Sequence, residues 1–217
     1  MQVHILSENN SILNRFLSQL RDVSIQGDSM RFRKNIHRIG EIMAYEISKS
    51  LPYEPHTVTT PLGTKETTRL QHGIVVTCVL RAGLALHEGF TSFFDDAENG
   101  FISAYRHHPN NDDYFDIVME YKAAPSLKNK TVIIADPMLA TGLSLQAACL
   151  KLLENETPAA VHIAVAIAAP EGVEFLQKNL PDNFHLWIAD VDSHLNEKKY
   201  IVPGLGDAGD LAYGVKL

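Results

Sequence analysis

Apolar residues recur along the N-terminal part of the chain at intervals of three and four, which predicts amphipathic helices. Ser11 precedes the first such stripe and Asp28 the second, so their side chains are the predicted helix caps. The first stripe consists of Ile12, Leu13, Phe16, Leu17 and Leu20, and the second includes Ile36, Ile39, Met43 and Ile47. Both helices are predicted to be structural.

Further along, continuous apolar runs lack polar alternation, which predicts parallel strands covered on both faces. The runs are residues 74–80, 132–135, 160–168 and 185–189. Predicted helices follow the first three, at residues 86–90, 144–153 and 170–176. This alternation predicts an α/β fold with a central, mostly parallel sheet flanked by helices.

Two pairs of β-rich runs predict structures outside that pattern. Residues 56–60 and 64–68 are joined by Pro61, Leu62 and Gly63 and predict a hairpin apart from the main sheet. Residues 101–106 and 117–121 predict a long β-arm. The Pro, Asn and Asp content between them predicts a mobile flap at 107–116, in which His107 and His108 receive no role.

Composition sets the class of protein. The 217 residues, of which 45% are hydrophobic, predict a single domain over 1–217, with N-terminal helices at 11–51, a core at about 70–190 and a C-terminal segment at 191–217. Neither a membrane span nor a secretion signal is recognisable, so a cytoplasmic location is expected. The net charge of −7 argues against nucleic-acid binding.

Two groups of residues receive no chemical role. Cys78 and Cys149 lie within apolar segments and are predicted to be core residues, since two thiols alone define neither a disulfide framework nor a zinc site. A basic cluster near the start of the second helix is predicted to be a solvated face or a subunit contact, and it consists of Arg31, Arg33, Lys34 and Arg38.

The segment VIIADPMLATGLSL, residues 132–145, indicates a phosphate site. Asp136 follows an apolar strand, where open α/β sheets bind ligands. Thr141, Gly142 and Ser144 lie where a helix begins, so free amides and the positive helix end would face an anion. Neither a Walker loop nor a dinucleotide fingerprint is present. An acid that accepts hydrogen bonds from ribose hydroxyls, next to a loop that binds a phosphate, suits a phosphoribose ligand. An ordinary strand, turn and helix capped by Ser144 remains an alternative from this segment alone.

Other segments add complementary groups. Arg81 follows the strand at 74–80, and Arg106 ends another predicted strand. A glycine-rich stretch at 200–209 offers exposed backbone suited to the edge of a flat, hydrogen-bonding ring. Together these segments predict phosphoribosyl transfer, because they offer cations that can bind a diphosphate, a loop that can bind phosphoribose and backbone amides that can bind a base.

From about Arg31 onward the chain resembles the uracil phosphoribosyltransferases, which have the type I phosphoribosyltransferase fold. That fold has a protruding β-arm or flap and a C-terminal, hood-like loop. The matching motifs are LRAGL at 80–84, YR at 105–106, DPMLATG at 136–142 followed by Ser144, APEG at 169–172, LNE at 195–197 and YIVPGLGDAGD at 200–210. The last of these is typical of the uracil branch.

The resemblance implies transfer of phosphoribose from 5-phosphoribosyl 1-diphosphate (PRPP) to uracil, giving UMP and diphosphate with Mg²⁺, in pyrimidine salvage. It implies that Mg²⁺ is held mainly by the diphosphate, with a water-mediated contact to Asp207 left open. The implied catalytic residues are Arg81, Arg106, Asp136 and Asp207. The implied PRPP-binding residues are these four together with Pro137, Met138, Leu139, Ala140, Thr141, Gly142, Leu143 and Ser144. The implied uracil-binding residues are Ile201, Gly206, Asp207 and Ala208. No general base is assigned.

The chain departs from related sequences at two positions of this segment. Leu143 replaces the family's usual glycine, and a left-handed conformation there would cost about 1 to 2 kcal/mol. We therefore predict right-handed first-turn geometry at Leu143, with its amide available to donate. Pro137 stands where sister branches have a second acid, so Asp136 would act alone. The family's arginine loop often contains a cis peptide, which the residues at 81–83 do not themselves predict.

Three alternative functions remain open from the sequence. They are a phosphoribosyltransferase for another base, a regulator of the same fold that acts on RNA or DNA, and an inactive homologue. The terminal motif argues against another base, and the net charge of −7 argues against a regulator. The joint presence of the implied catalytic residues argues against an inactive homologue. The resemblance also implies a homodimer or larger homo-oligomer, and it leaves GTP as an effector to be tested.

Overall fold

The computed structural model describes residues 1–107 and 116–216, with side chains included except at 104–107 and 116–120. Twelve strands lie within these residues: β1 (Gln2–Ile5), β2 (Tyr53–Thr60), β3 (Gly63–Leu70), β4 (Ile74–Leu80), β5 (Glu98–His107), β6 (Asp116–Ala123), β7 (Thr131–Ala135), β8 (Met138–Leu139), β9 (Ala160–Ala168), β10 (Phe184–Val191), β11 (His194–Leu195) and β12 (Ile201–Val202). The helices in the same part of the chain are α1 (Leu13–Arg21), α2 (Ser29–Ser48), α3 (Leu84–Thr91), α4 (Leu143–Leu152), α5 (Pro170–Asn179) and α6 (Ala208–Tyr213), with a 3-10 turn at Leu6–Glu8.

Eight of the described strands form the central sheet. Its order is β1-β10-β9-β7-β4-β5-β6, and β8 pairs with the end of β9. The neighbours from β1 to β5 are parallel, and β6 returns antiparallel to β5. The predicted α/β class and mostly parallel sheet are therefore confirmed.

Two hydrophobic layers cover the faces of this sheet. Helices α1, α2 and α3 pack on one face together with α6, and α4 and α5 pack on the other. Strands β4, β7 and β9 are buried almost throughout because both of their faces are covered. Their unbroken apolar runs are the sequence signature of this arrangement.

The N-terminal helices begin nearly where the sequence predicts. The Asp28 side chain accepts a hydrogen bond from the Arg31 amide and caps α2 as expected. At α1 the prediction was partly wrong. The helix starts at Leu13 without a side-chain cap at its N-cap residue, although the Ser11 hydroxyl accepts from the Leu13 amide. Ile12 is 57% exposed because it precedes the helix and points away from the buried stripe.

The hairpin and the β-arm also match their predictions. Strands β2 and β3 pair only with each other among the described strands, and Thr60 faces Gly63 across the predicted turn. Strands β5 and β6 form the base of the arm, with a bulge between Ser103 and Tyr105. The predicted flap at 107–116 lies almost entirely outside the described residues.

Cys78 and Cys149 are both buried, as predicted. Burial raises the pKa of each thiol to about 12, so both remain protonated and unreactive at neutral pH. Among the helices within residues 1–107 and 116–216, none is both long enough and apolar enough to cross a membrane.

Candidate active site

The strand order places a topological switch point between β4 and β7. Strands β10, β9 and β7 follow one another on one side, whereas β5 lies on the other side of β4. Open α/β sheets bind ligands outside the carboxyl ends of the strands at such a point. Arg81 directly follows β4 and Asp136 directly follows β7, and Cys78 pairs with Ala135 in the register between them. The predicted cation and acid therefore lie at adjacent strand ends.

The arginine turn packs tightly against the end of β7. A Cβ atom on Gly83 would come within 2.7 Å of the Ala135 carbonyl oxygen, so only glycine allows this approach. The Leu80–Arg81 peptide bond is cis, at the edge of the loop for which the family resemblance raised that possibility. The turn leads into α3, whose first residue is Leu84.

Asp136 is only partly exposed, and its surroundings strongly affect its ionisation. Burial raises the pKa of the Asp136 carboxyl to about 7, despite the hydrogen bond that its Oδ1 accepts from the Met138 amide at 3.3 Å. The protonated form of this carboxyl therefore persists to much higher pH than in an ordinary aspartic acid. A ligand hydroxyl or cation that favours the anion would draw this group toward its charged form.

Residues 136–144, here called the phosphate loop, connect β7 to α4. The Pro137 carbonyl accepts hydrogen bonds from the amides of Ala166 and Ile167. Met138 and Leu139 form β8 beside β9, and the Leu139 carbonyl accepts from Ala169. The first half of the loop is thus anchored to the sheet.

The second half of the phosphate loop opens onto the start of α4. Gly142 has φ +83° and is the N-cap, so the helix begins at Leu143 and the alternative of a Ser144 cap was wrong. Leu143 is the first helical residue and is absent from the described non-glycine residues with positive φ, which confirms its predicted right-handed geometry. Its amide lies 3.5 Å from the Thr141 hydroxyl. The first-turn amides lack intrahelical acceptors and can bind a phosphate.

Helix α5 supports the phosphate loop from behind. A Cβ atom on Gly172 would lie 2.2 Å from the Ala140 carbonyl oxygen, so the helix and the loop touch through their backbones. The neighbouring Glu171 carboxylate accepts a hydrogen bond from the Leu195 amide at 2.9 Å. Through Glu171, this helix connects the phosphate loop to the β11–β12 hairpin.

Residues 201–208, here called the terminal loop, carry the predicted uracil-binding positions. Ile201 is buried and pairs with Leu195 in the β11–β12 hairpin. The Val202–Pro203 peptide bond is cis. Gly206 has φ +93° and its backbone is exposed, whereas Ala208 is the buried first residue of α6. Among these three positions, only Gly206 presents exposed main-chain groups without a side chain that covers them.

Asp207 caps α6 through a hydrogen bond from the Asp210 amide to its Oδ1 at 3.0 Å. Its Oδ2 lies 3.4 Å from the Lys216 ammonium. Burial alone would raise the pKa of Asp207, but the Asp210 amide and Lys216 outweigh it and lower the pKa below its usual value. Asp207 is therefore ionised at neutral pH, although one of its oxygens is engaged by the cap.

Arg81 joins the arginine turn to the terminal segment. Its guanidinium forms an ion pair with Asp210 at 3.0 Å and donates to the Gly214 carbonyl at 3.2 Å. A Cβ atom on Gly209 would lie 3.8 Å from the same guanidinium. The structure thus brings Arg81, Asp136, the phosphate loop and the terminal loop to one edge of the sheet.

Arg106 occupies the expected place in β5, paired with Ile117 of β6, next to β4 in the sheet. Its side chain lies outside the described part of the structure. The predicted role of Arg106 toward diphosphate therefore remains a prediction.

Three residues near the site were missed by sequence reasoning. Asp210 pairs with Arg81 although 129 residues separate them, so no local pattern indicated the contact. Arg33 donates to the Ala212 carbonyl at 2.6 Å and lies over the Tyr213 ring, so the predicted solvated face was wrong for this member of the basic cluster. Arg21 contacts residues about 170 positions away, which no local pattern could reveal.

A comparison with protein families matches residues 7–215 to the family described as uracil phosphoribosyltransferase. The chain belongs to that family. It is 50% identical over 217 residues to a uracil phosphoribosyltransferase of Porphyromonas gingivalis, with all of both chains covered. The resemblance that the sequence motifs indicated is confirmed.

Solved structures share the fold of this chain. A protein from Aquifex aeolicus superposes with a TM-score of 0.88 at 32% identity, with all of both chains covered. A hypoxanthine phosphoribosyltransferase from Staphylococcus aureus gives a TM-score of 0.51 at 14% identity over 86% of this chain and 83% of its own. The second similarity concerns the fold alone and confirms the type I phosphoribosyltransferase architecture.

Proposed function

We propose that this chain transfers phosphoribose from PRPP to uracil, giving UMP and diphosphate. The observation that carries the proposal is the switch point at which Arg81 and Asp136 follow adjacent strands, with Arg81 paired to Asp210 just after the terminal loop. The phosphate loop leads from Asp136 to the start of α4. A cation, a ribose-binding acid, free helix amides and exposed glycine backbone suit the parts of these two substrates. Membership in the family supports uracil as the base.

The roles proposed for PRPP-binding residues follow from the local chemistry. Asp136 accepts hydrogen bonds from the ribose hydroxyls, and the second half of the phosphate loop holds the 5-phosphate. Arg81 and Arg106 stabilise the charge that grows on the leaving diphosphate as its bond to the anomeric carbon breaks. Such placed donors typically contribute about 2.7 to 4 kcal/mol each to transition-state stability. Arg81 must exchange its present partner Asp210 for the diphosphate or bind both.

The terminal loop is proposed to read uracil through its main chain. Backbone amides donate to the ring carbonyls, and backbone carbonyls accept from ring nitrogens, at Ile201, Gly206, Asp207 and Ala208. Exposed backbone at Gly206 suits this recognition because no side chain covers it. The described side chains provide no assigned general base for the uracil ring nitrogen, so that role stays open.

The donor set fits Mg²⁺ as the metal of this reaction. Within the residues whose side chains are described, no cluster of three or more His, Cys, Asp or Glu is placed to hold a metal ion. Mg²⁺ commonly binds one or two carboxylates together with substrate phosphates. Asp207, which is ionised, would contact the ion through water, and the diphosphate would hold most of it. When bound, Mg²⁺ supplies positive charge that neutralises the diphosphate.

The proposal includes a single domain, a homo-oligomeric assembly, a cytoplasmic location and GTP as an effector to be tested. The first hydrophobic layer supports a single domain, because it joins the N-terminal helices, the sheet and α6. The assembly and the GTP effector rest on the family resemblance, and the cytoplasmic location rests on the sequence, in which neither a membrane span nor a secretion signal is recognisable. Light scattering coupled to size-exclusion chromatography measures the assembly, and a GTP titration of UMP formation measures activation.

One assay tests the central claim. Purified protein is incubated with PRPP, Mg²⁺ and either uracil, orotate, cytosine or hypoxanthine, and nucleotides are separated by chromatography. UMP formation from uracil is expected to exceed the product from every other base. Orotate or hypoxanthine as the preferred base would contradict the proposal. Specific RNA binding without UMP formation would favour a regulator instead.

A further inference from the structure

A partly buried charge network links helix α1 to the terminal loop. Arg21, the last residue of α1, contacts Asp190 at 2.8 Å and Asp192 at 2.7 Å through its Nη2 atom. Its Nη1 atom donates to the second oxygen of Asp192 at 2.9 Å and to the Gly204 carbonyl at 3.1 Å. The Asp192 side chain is only 4% exposed. A single guanidinium thus holds the end of β10 and the terminal loop at once.

Both polar backbone atoms of Gly204 are held by this network. Its carbonyl accepts from Arg21, and its amide donates to Asp192 at 3.1 Å. The conformation at Gly204 leaves no freedom for another residue, because φ is +64° and a Cβ atom would lie 2.2 Å from the Ile201 carbonyl oxygen. The loop is therefore held at Gly204, which lies between Ile201 and Gly206, two of the four proposed uracil-binding positions.

Recognition by main-chain groups depends on this kind of support. Side chains can adjust through rotamers, but backbone donors and acceptors point wherever the loop places them. Sites of this sort need their groups held to within about 0.5 Å. The cationic fork of Arg21 suits the task because it can bind a carboxylate and a carbonyl in fixed directions, which a lysine cannot do.

We propose that Arg21 is a positioning residue for uracil recognition, acting through Asp192 and the Gly204 backbone to set the orientation of the terminal loop. This inference rests on the proposed function. Arg21 does not itself contact the substrate in this scheme. Arg21 stays protonated. Burial alone would lower the pKa of Arg21, but its hydrogen bonds and ion pairs with Asp192 and Asp190 outweigh burial and raise the pKa.

The two carboxylates in the network provide a matched comparison. Asp190 and Asp192 both pair with Arg21, but only Asp192 also accepts from the Gly204 amide. Removal of Asp192 should therefore disturb uracil binding more than removal of Asp190. A network that merely ties helix α1 to the sheet would make no such distinction.

The test measures KM for uracil, KM for PRPP and kcat in the full-length protein. Arg21→Ala is expected to raise KM for uracil by about tenfold to a hundredfold, since a shift of about 1 Å at a site can have effects of this size. KM for PRPP should change less than about threefold. Arg21→Lys should recover part of the uracil affinity, and Arg15→Ala, at an exposed position of the same helix, should match wild type.

Equal increases in KM for uracil and PRPP, or a loss of thermal stability with unchanged KM values, would overturn the inference. If Arg21→Ala does not fold, Asp192→Ala and Asp190→Ala decide the matter. The inference stands only if Asp192→Ala has the larger KM for uracil. Failure of wild type to form UMP would instead refute the proposed function, and the inference with it. The two failures are therefore distinguishable.

Discussion

Asp136 is expected to destabilise the substrate-free protein above neutral pH. Burial holds its pKa at about 7, against an ordinary value of 3.8. Between these values the native state binds more protons than the unfolded state, so the free energy of unfolding falls as the pH rises. The cost is absent below about pH 3.8 and complete above about pH 7. The charged form of Asp136, a candidate site residue, therefore lowers the free energy of unfolding.

The size of this cost follows from the difference between the two pKa values. That difference corresponds to roughly 4 kcal/mol as an upper bound, because the partly exposed carboxylate keeps some hydration. Asp136→Asn removes the charge and keeps an oxygen that can accept from the Met138 amide. We expect the variant to be more stable than wild type at pH 8 by roughly 2 to 4 kcal/mol, and equal to it near pH 4.

Urea unfolding without substrate at pH 8, 6 and 4 measures this difference. Asp96→Asn, at an exposed position, serves as the control and should show no comparable gain. A stability difference that is absent at pH 8, or equal at all three pH values, would refute the reasoning. The same Asp136→Asn variant should lose at least about tenfold in kcat/KM for PRPP, since a charge-assisted contact is removed. Unchanged kinetics would exclude Asp136 from the site.

Three further predictions concern other parts of the molecule. Gly172→Ala should raise KM for PRPP about tenfold, because the added methyl group would push against the Ala140 carbonyl. Gly27→Ala, whose added methyl group would meet open space, should leave KM unchanged. Equal KM values for the two variants in steady-state kinetics would contradict the contact. Arg106→Ala should weaken PRPP binding more than uracil binding, and calorimetry showing the reverse would overturn its role. Burial lowers the pKa of His162 from 6.5 to about 3, so the unfolded state binds a proton there between these values and the native state does not. His162→Gln should therefore reduce the loss of Tm between pH 6.5 and 4. An unchanged loss of Tm would exclude His162 as a source of acid sensitivity.

The sequence predicted the parts of the fold that depend on local patterns. Strand β9 was predicted with its observed bounds because a nine-residue apolar run has few other interpretations. Strand β1 was missed, since its four residues become a strand only by pairing with β10, as at Gln2 and His185. The sequence predicted the start of α4 at residue 144, one residue after its observed start at Leu143. Ser144 belongs to a common cap type, whereas the observed N-cap, Gly142, has a left-handed backbone conformation.

For the site, adjacent chemistry in the sequence was easier to predict than distant contacts. Asp136 and Arg81 could be placed because each follows an apolar strand, and parallel strands end at a common edge. The Arg81–Asp210 pair and the Arg21 network could not be placed, since their partners lie more than a hundred residues away. Family resemblance supplied the uracil-binding positions, which periodicity and charge alone did not reveal.

Contacts between the N-terminal helices and the terminal segment also have a consequence for protein synthesis. Arg21 meets Gly204 across 183 residues, and Arg33 meets Ala212 across 179. A ribosome therefore makes these arginines long before their partners emerge. The nascent chain can build most of the sheet and the phosphate loop first, and its last segment docks on the N-terminal helices only at the end of synthesis.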